Sequence, residues 1–371
     1  MHILHVSSDF IGTKVHENLF RNLASLGLAQ MVYCPVRDSN LIGKNRFEAP
    51  NVEIVYDNAV KPFHKYAYHV KRHAIFNSLQ KKVDLSHVDL CHASTLFTDG
   101  GQAYKIYKKY HIPYVVAVRN TDINGFLNVR PETWLTGRKI LLNAKRIFFI
   151  SKALMDRFCG HRLIFPLLPE IENKMLLIPN GIDDYYLDHV NHEIHSGHRV
   201  LYVGDFSNNK NVKRLCEAVL QLSGEENLKD VQLTLVGGGK AQNNDIQDLI
   251  DANSERFHFL GPIYDKAKLC EVFNQHSIFA MPSIYETFGL VYLEALSQNL
   301  PVLYTKGQGI DGLFDESVGI GVNPLSVQSI KDALRMLIEK KNVYSNHNVN
   351  FEDFRWCNIA QVYESIYQDI V

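Results

Sequence analysis

The chain has 371 residues, of which 46% are hydrophobic and 21% are charged, and its formal net charge at pH 7 is −1. This length accommodates two domains of ordinary size, and the composition is that of a globular protein. Because no uninterrupted apolar run reaches about 18 residues, we expect no membrane-spanning helix. The six cysteines form no C-x-x-C pair, which predicts reduced, buried thiols and no structural zinc site.

The charge is distributed unevenly along the sequence. Residues 1–180 contain 24 Lys and Arg against 14 Asp and Glu, a net charge of +10, and residues 181–371 contain 15 against 26, a net charge of −11. A basic first half can bind anionic lipid headgroups or an anionic acceptor, or its charges can simply be solvated. The start, MHILHVSS, lacks the features of a signal peptide, so we expect a cytoplasmic protein, either free or peripheral on the inner face of the membrane.

The first half alternates predicted strands and helices. Residues 1–8 form an apolar strand, a loop with Gly12 follows, and residues 15–28 have helical spacing. This order opens a doubly wound α/β domain, in which the first loop approaches the ligand. A single glycine is also typical of an ordinary turn.

Residues 61–80, KPFHKYAYHVKRHAIFNSLQ, have helical spacing with aromatic and basic residues interleaved. Two interpretations fit this pattern. Lys65, Lys71 and Arg72 can face an anionic membrane surface, or the aromatic residues can pack on the sheet of an ordinary amphipathic helix.

Polar or glycine-rich loops follow several predicted strands, where the carboxyl ends of parallel strands face a ligand crevice. The strand at 114–118 leads to Arg119-Asn120-Thr121-Asp122, which a surface turn capped by Asp also explains. The strand at 231–236 leads to Gly237-Gly238-Gly239-Lys240, which is either a ligand-approaching loop or a flexible turn. The strand at 257–260 leads to Gly261-Pro262-Ile263.

The most informative stretch is 280–304, AMPSIYETFGLVYLEALSQNLPVLY, which predicts a strand, a loop, a helix, a turn and a strand. Glu286 precedes the helix and Glu294 lies within it. At about 1.5 Å per residue the intervening helix spans roughly 8–12 Å, about the distance from the sugar to the ribose of a sugar nucleotide. Free N–H groups at 288–290 suit a diphosphate between the two acids. A surface helix with two unrelated acids is the alternative.

The ETFGLVYLEA context resembles the donor-site motif (E-x7-E) of the GT4 family of retaining glycosyltransferases, which have the GT-B fold. The residues that carry the resemblance are Ser283, Glu286, Phe288, Gly289, Glu294 and Ala295. The resemblance covers most of the chain and implies two Rossmann-like α/β domains that face a central cleft, with a C-terminal helix that crosses back to the N-terminal domain. The implied domains are 1–180 for the acceptor, 181–352 for the nucleotide sugar and 353–371 for the final helix.

The resemblance also implies individual roles. Glu286 contacts the sugar hydroxyls, Glu294 contacts the ribose, and Lys210 matches the lysine of a Gly–Arg–x4–Lys loop that binds the diphosphate. Asp205 stands where that loop has arginine. Arg119 and Asp122 are implied to act near the acceptor and the reacting sugar. The other positions implied to line the site are Gly12, Ser207, Asn209, Gly237, Gly238, Pro262, Ile263 and Leu290.

Two interpretations of Asp205 remain open. A neighbouring Lys or Arg can neutralise its carboxylate while Ser207, Asn209 and backbone amides take the phosphate. Alternatively, the site binds a donor weakly or not at all.

We therefore predict a retaining glycosyltransferase that moves a sugar from a nucleotide diphosphate sugar, a UDP- or GDP-sugar, to a hydroxyl of a glycan or lipid-linked acceptor. Bacterial surface polysaccharide or glycoconjugate assembly is the expected setting. No D-x-D loop is evident, so we expect no metal, no cofactor besides the donor and no nucleic-acid partner. The alternatives are a catalytically impaired sugar-nucleotide-binding or partner subunit, an inverting transferase or epimerase on the same fold, and a two-domain solute receptor.

Overall fold

The structure is a computed structural model that describes residues 1–238 and 244–371, and it divides into two compact units. Unit 1 comprises Met1–Ile150, Leu154–Gly181 and Trp356–Val371, and unit 2 comprises Ser151–Ala153 and Ile182–Arg355. Each unit contains one parallel β-sheet with helices around it. The predicted pair of Rossmann-like α/β units is confirmed.

Unit 1 contains a seven-stranded sheet in the order β3-β2-β1-β4-β5-β6-β7. Its strands are β1 (His2–Val6), β2 (Ala29–Pro35), β3 (Val52–Asp57), β4 (Leu90–Ala93), β5 (Tyr114–Ala117), β6 (Arg146–Phe149) and β7 (Met175–Leu177). The helices among them are α1 (Lys14–Ser25), α2 (Tyr68–Lys82), α3 (Gly100–Tyr110), α4 (Trp134–Asn143), α5 (Lys152–Cys159) and α6 (Leu168–Ile171).

Unit 2 contains a six-stranded sheet in the order β10-β9-β8-β11-β12-β13. Its strands are β8 (Arg199–Gly204), β9 (Gln232–Gly237), β10 (Phe257–Gly261), β11 (Ile278–Ala280), β12 (Val302–Thr305) and β13 (Gly319–Val322). Its helices are α7 (Asp184–Asp188), α8 (Val212–Ser223), α9 (Asn244–Asp251), α10 (Lys266–Asn274), α11 (Leu290–Ser297) and α12 (Val327–Glu339).

The strand order reverses direction once in each sheet, and ligands of doubly wound sheets bind where this happens. In unit 1 the reversal lies between β1 and β4, which pair in parallel with His5 opposite His92. In unit 2 it lies between β8 and β11, with Phe279 opposite Leu201. The loops that leave these four strands are therefore the ones positioned for ligand binding.

The short central strands read as apolar runs because both faces of a parallel sheet are covered. β4 and β5 are buried along their whole length, and so is β11. Four of the six cysteines are buried, two on strands and two on helices, whereas Cys159 is half-buried and Cys357 is exposed, so the prediction of buried thiols is wrong for these two. All six are free thiols.

The last helix, α13 (Trp356–Gln368), belongs to unit 1 and supplies part of its core. Trp356, Tyr363 and Tyr367 join the cluster built from β1, α1 and neighbouring strands. A hydrogen bond of 2.6 Å connects the Tyr367 hydroxyl to Nδ1 of His92, and both side chains are buried. Burial lowers the pKa of His92 well below its usual value, so the imidazole is neutral.

Within the two described ranges, no helix combines the length and the apolar character needed to cross a bilayer.

Replacing Tyr367 by Phe should destabilise the protein by about 1–3 kcal/mol, because Nδ1 of His92 is left buried without its partner. The matched control is Tyr363→Phe. The Tyr363 hydroxyl makes no hydrogen bond to the part of the chain that the structure describes, so its removal should cost less than about 0.5 kcal/mol. Urea unfolding of both variants measures the difference. Equal losses of stability would contradict the assigned role of the hydrogen bond.

Candidate functional site

The loop that leaves β8 is folded by its own side chains. The Tyr202 hydroxyl donates to the carbonyl of Asp205 over 2.5 Å, and the N–H of Ser207 donates to the Asp205 carboxylate over 2.8 Å. A single 3₁₀ turn, Asn208–Lys210, then leads into α8. These bonds fix the backbone from which Lys210 projects.

Asp205 shapes this loop and is not neutralised by an ion pair within residues 1–238 and 244–371. Burial opposes its ionisation, but the hydroxyl and N–H of Ser207 and the charge of Lys210 together lower its pKa. The ammonium of Lys210 pairs with Glu286 instead. Among the described residues, no Lys or Arg forms the ion pair with Asp205 that the first interpretation from sequence requires, although the charge of Lys210 helps to lower its pKa.

The loop that leaves β11 is pinned to the β8 loop by Asn209. Its side-chain amide donates to the carbonyl of Tyr285 over 2.9 Å and its side-chain oxygen accepts from the Tyr285 N–H over 3.1 Å, while its own carbonyl accepts from Ile284. Ser283 is fully buried, and its carbonyl accepts from the Thr305 hydroxyl. The Asn209 side chain is thus occupied in joining two loops.

Lys210 and Glu286 meet at the reversal between β8 and β11. Nζ of Lys210 lies 2.7 Å from Oε2 of Glu286, and the two side chains are 20% and 12% exposed. The hydroxyl of Ser283 lies 3.4 Å from the same carboxylate oxygen, and the N–H of Thr287 donates to the other one. The pair is therefore well ordered yet still reachable from solvent.

Gly289 directly precedes α11, the helix that follows Glu286. Its φ of +80° lies in the left-handed region, and a Cβ there would come within 2.5 Å of the Tyr292 ring and 3.2 Å of the Glu286 side chain. The Tyr292 hydroxyl in turn donates to the carbonyl of Met281. The Tyr292 N–H donates to the Gly289 carbonyl, whereas the N–H groups of Leu290 and Val291, the first two of α11, have no acceptor within the helix. The Phe288 side chain is buried, so only its backbone can serve a ligand.

Glu294 lies one turn along α11, next to a second acidic residue. Burial raises the pKa of Glu294 to about 7, the negative charge of Asp183 adds to the effect, and Lys266 opposes it. Lys266 itself forms an ion pair with Asp183. Within residues 1–238 and 244–371, the Glu294 carboxyl has no hydrogen-bond partner, so it is available to a ligand.

The remaining donor-site candidates lie after β9 and β10. Gly237 ends β9 with a φ of +121°, and a Cβ there would collide with the carbonyl of Gly204, so only glycine allows these two strand ends to meet. Gly238 follows directly. Gly239 and Lys240, from the same predicted loop, lie outside the described residues. Pro262 is exposed and Ile263 half-buried beyond the end of β10, two strands away from β8.

The candidates in unit 1 have different surroundings. The Asp122 carboxylate is buried and accepts from the N–H groups of Leu96, Phe97 and Arg119 over 2.9–3.1 Å. Burial raises its pKa to about 6, although these three bonds oppose the rise. Nε of Arg119 donates to the carbonyl of Ser94. Both residues therefore hold the β4 and β5 loops together.

Gly12 follows a 3₁₀ turn after β1, and a Cβ there would meet no atom within 4 Å. This position therefore does not require glycine.

The predicted continuous helix at 61–80 is wrong. Pro62–Lys65 forms a 3₁₀ turn, and α2 begins only at Tyr68, because Ala67 has a non-helical backbone. Tyr68 and Ile75 pack in the core, whereas Phe63, Tyr66 and Val70 are 57%, 76% and 52% exposed.

The packing interpretation of this segment is therefore confirmed for α2, whereas contact with an anionic membrane surface stays a prediction. Of the three basic residues that were candidates for facing a membrane (Lys65, Lys71 and Arg72), Arg72 has a buried Nε. Lys71 lines a pocket, and only Lys65 is exposed.

Four residues of the site were not predicted. Gln308 accepts from the N–H of Glu286 and Gly309 donates to its carbonyl, so the turn after β12 fixes the motif from the other side. Asp183 and Lys266 set the electrostatics of Glu294. The sequence contains a weak signal for the first pair, because Gly307-Gln308-Gly309 directly follows a predicted strand. Nothing local points to Lys266.

Two family models match the chain. "Glycosyltransferase Family 4" matches residues 13–185, and "Glycosyl transferases group 1" matches residues 197–340. The chain is a glycosyltransferase of the family 4, group 1 type. The family 4 match contains Arg119 and Asp122, and the group 1 match contains Lys210, Glu286 and Glu294.

Known proteins resemble this glycosyltransferase over most of its length. It is 23% identical to a candidate teichuronic acid biosynthesis glycosyltransferase, TuaC of Bacillus subtilis, over 86% of the chain and 83% of the relative. The sucrose-phosphate synthase structure from Thermosynechococcus elongatus superposes with a TM-score of 0.72 at 18% identity, covering 100% of this chain and 99% of that one. The structure of HepE from Anabaena, in complex with UDP and glucose, superposes with a TM-score of 0.66 at 16% identity, covering both chains completely. At these identities the structural likenesses establish the GT-B fold.

Replacing Gly289 by Ala should lower the melting temperature by several degrees, because the left-handed backbone alone costs about 1–3 kcal/mol and the new methyl group meets the Tyr292 ring. Gly12→Ala is the matched control and should change stability by less than about 0.5 kcal/mol. Differential scanning calorimetry compares the two variants. A Gly289→Ala variant as stable as the control would contradict the geometry described for the start of α11.

Proposed function

We propose that this glycosyltransferase moves a sugar from a nucleotide diphosphate sugar, a UDP- or GDP-sugar, to an acceptor hydroxyl with retention of the anomeric configuration. The observation that carries the proposal is the Lys210–Glu286 pair beside the first N–H groups of α11, at the strand reversal of unit 2. A site with one cation, oriented amides and two carboxylates can bind a diphosphate flanked by two sets of hydroxyls. The complex of HepE with UDP and glucose supports the same ligand class.

Lys210 would stabilise the leaving group. Negative charge grows on the diphosphate as the bond to the sugar breaks, and a fixed cation and helix-start amides are most effective at such a point. A lysine ammonium has three N–H donors. It can therefore keep one on Glu286 and direct the others to phosphate oxygens.

The two glutamates would bind the two ends of the donor. The Glu286 carboxylate is held by Ser283 and Thr287, and it would accept hydrogen bonds from sugar hydroxyls. Glu294 would accept hydrogen bonds from the ribose. Gly237, Gly238, Pro262 and Ile263 would line the base through backbone contacts.

Asp205 distinguishes this diphosphate site from one with two cations. Ser207 donates hydrogen bonds to the Asp205 carboxylate, and the Asn209 side chain is bonded to the backbone of Tyr285. Neither side chain is therefore the main phosphate contact in our proposal. Lys210 and backbone N–H groups would make the main contacts with the diphosphate. We propose that these groups supply the positive charge, with no metal or separate cofactor.

The acceptor would bind to unit 1, at the strand reversal between β1 and β4. Arg119 and Asp122 would act there by holding the loops that line this site, since both bond to backbone groups. A glycan or a lipid-linked acceptor is the proposed class, in line with the polysaccharide role named for TuaC. The exposed Phe63, Tyr66 and Val70, with Lys65 beside them, would allow peripheral contact with an anionic membrane.

A second candidate function rests on Asp205. An acidic residue in the diphosphate loop is also compatible with a catalytically impaired subunit, which would bind a sugar nucleotide or a partner without turnover. A binding subunit forms no product, which distinguishes it from a transferase. An inverting transferase or an epimerase forms a product whose stereochemistry differs from that of a retaining transferase.

A panel of UDP-, GDP-, ADP- and CMP-sugars, screened by thermal shift, should identify a stabilising donor, because a ligand of the folded state raises its melting temperature. With that donor, Lys210→Ala should lower kcat/KM by about 10²–10³-fold. The matched control is Lys213→Ala. Lys213 lies on α8, is 54% exposed and pairs with Asp245, so its removal should leave the rate within about twofold.

Proton NMR of the product decides between the candidates. Retention of the donor's anomeric configuration supports the proposal, and inversion overturns it. A donor that binds without transfer or hydrolysis favours the binding subunit. Equal activity of the Lys210→Ala and Lys213→Ala variants would exclude Lys210 from the chemistry.

The raised pKa of Glu294 predicts pH-dependent donor binding. With a pKa near 7, the carboxylate fraction rises about tenfold from pH 6 to pH 8. Because the carboxylate form accepts ribose hydroxyls better, the donor dissociation constant should fall over this range, by up to about the same factor. Calorimetry with the intact nucleotide sugar avoids ionisation of a terminal phosphate. The Glu294→Gln variant should bind the donor more weakly, with a dissociation constant that does not change with pH. A wild-type protein whose donor dissociation constant is also independent of pH would contradict the proposed ribose contact.

A further inference from the structure

A pocket of about 630 Å³ opens at the strand reversal of unit 1. The loop after β1 forms one side of it, and the rest comes from the end of β2 with the loop that follows, from the segment after β3, from the loops after β4 and β5, and from the helix α2. Its walls carry two cations, Arg37 and Lys71, and hydroxyl groups that include Thr98 and Thr121. This volume suits a molecule of roughly monosaccharide to disaccharide size.

Most acidic groups around the pocket are already engaged. Asp122, which lines it, accepts three backbone N–H groups. Asp99, which lies behind it, accepts from the Ser8 N–H and the Thr95 hydroxyl. Asp9 is the remaining carboxylate of the lining, and it lies on the exposed rim.

The two cations have no such partners. Within residues 1–238 and 244–371, neither Lys71 nor Arg37 forms an ion pair. Lys71 is half-buried, and burial lowers its pKa, with Asp99 and Asp9 opposing the effect and Arg130 and Arg37 adding to it. A half-buried ammonium normally has a counter-charge, because desolvation of an isolated charge is costly. Since no described carboxylate contacts the Lys71 ammonium, a ligand can supply a counter-charge at contact distance.

We infer that the acceptor of this glycosyltransferase carries an anionic group, a phosphate or a carboxylate, which Lys71 and Arg37 bind in the unit 1 pocket. The planar guanidinium of Arg37 can form two parallel hydrogen bonds to either oxyanion. Lys71, on α2, adds a compact positive charge. The hydroxyls of Thr98 and Thr121 suit the neutral part of the same molecule. This inference rests on the proposed function, because it names the chemistry of the acceptor.

The test uses three probes that share one sugar framework: glucose 6-phosphate, glucuronate and neutral glucose. Calorimetry on the full chain, without donor, measures their binding at low ionic strength. At least one charged probe should bind about tenfold or more tightly than glucose, since a charge-assisted contact has that effect. Preference for glucose 6-phosphate assigns a phosphate to the acceptor, and preference for glucuronate assigns a carboxylate.

Three variants locate the binding. Lys71→Gln and Arg37→Gln should each weaken the charged probe about tenfold or more and leave glucose unchanged. Lys108→Gln removes the same charge from the exposed end of α3, outside the pocket lining, and should have no effect. Arg37 is exposed, so its variant remains informative if Lys71→Gln unfolds, which circular dichroism would reveal.

The inference is overturned if no charged probe binds, if glucose binds as tightly as the charged probes, or if Lys108→Gln weakens binding as much as Arg37→Gln. These outcomes are separate from the donor experiments. A chain that transfers sugar with retention but binds no anion here keeps the proposed function and loses only the anionic acceptor.

Discussion

The 2.7 Å contact between Lys210 and Glu286 is the interaction on which the proposed donor site of unit 2 depends. It joins two loops that are far apart in sequence and leave neighbouring strands, β8 and β11. Both side chains are mostly buried, so their relative position is fixed by the fold and not by flexible side-chain pairing. Asn209 adds a second connection through the backbone of Tyr285. A bound diphosphate would therefore meet a cation that is already oriented, which reduces the entropic cost of binding.

The parallel topology explains why polar groups concentrate in the same place in both units. In each sheet the chain reverses its direction of strand addition once, and only there do two adjacent loops diverge to leave a crevice. Unit 2 fills that crevice with Lys210 and Glu286. Unit 1 lines it with Arg37, Lys71 and threonine hydroxyls. One architecture thus supplies two chemically different candidate sites, because the loops vary while the strands keep their positions.

Local patterns in the sequence were sufficient to predict doubly wound α/β units and the strand, loop and helix around Glu286. Apolar strands that alternate with helices predict doubly wound units, and the run from Glu286 through Gly289 to Glu294 predicts a ligand-binding helix start. The break before Tyr68 was missed because aromatic and basic residues continue the helical spacing across Ala67, whose backbone leaves the helix. A pattern of spacing does not record such a local change of φ and ψ.

The partners of the motif could not be predicted from sequence, because they arise from contacts between distant segments. Gln308 reaches the Glu286 N–H from the turn after β12, and Lys266 approaches Asp183 across 83 residues. Asp205 was recognised as a departure from the two-cation loop, but its hydrogen bonds with Ser207 emerged only from the folded loop. The sequence placed Lys71 on a surface helix, whereas the structure places it in a pocket wall.

The most direct measurement is a crystal structure of the chain with its most stabilising nucleotide sugar bound. The account predicts a diphosphate within hydrogen-bond distance of Nζ of Lys210 and of the first N–H groups of α11, with the sugar at Glu286 and the ribose at Glu294. A nucleotide bound elsewhere, or a diphosphate that leaves the Lys210–Glu286 pair untouched, would contradict it.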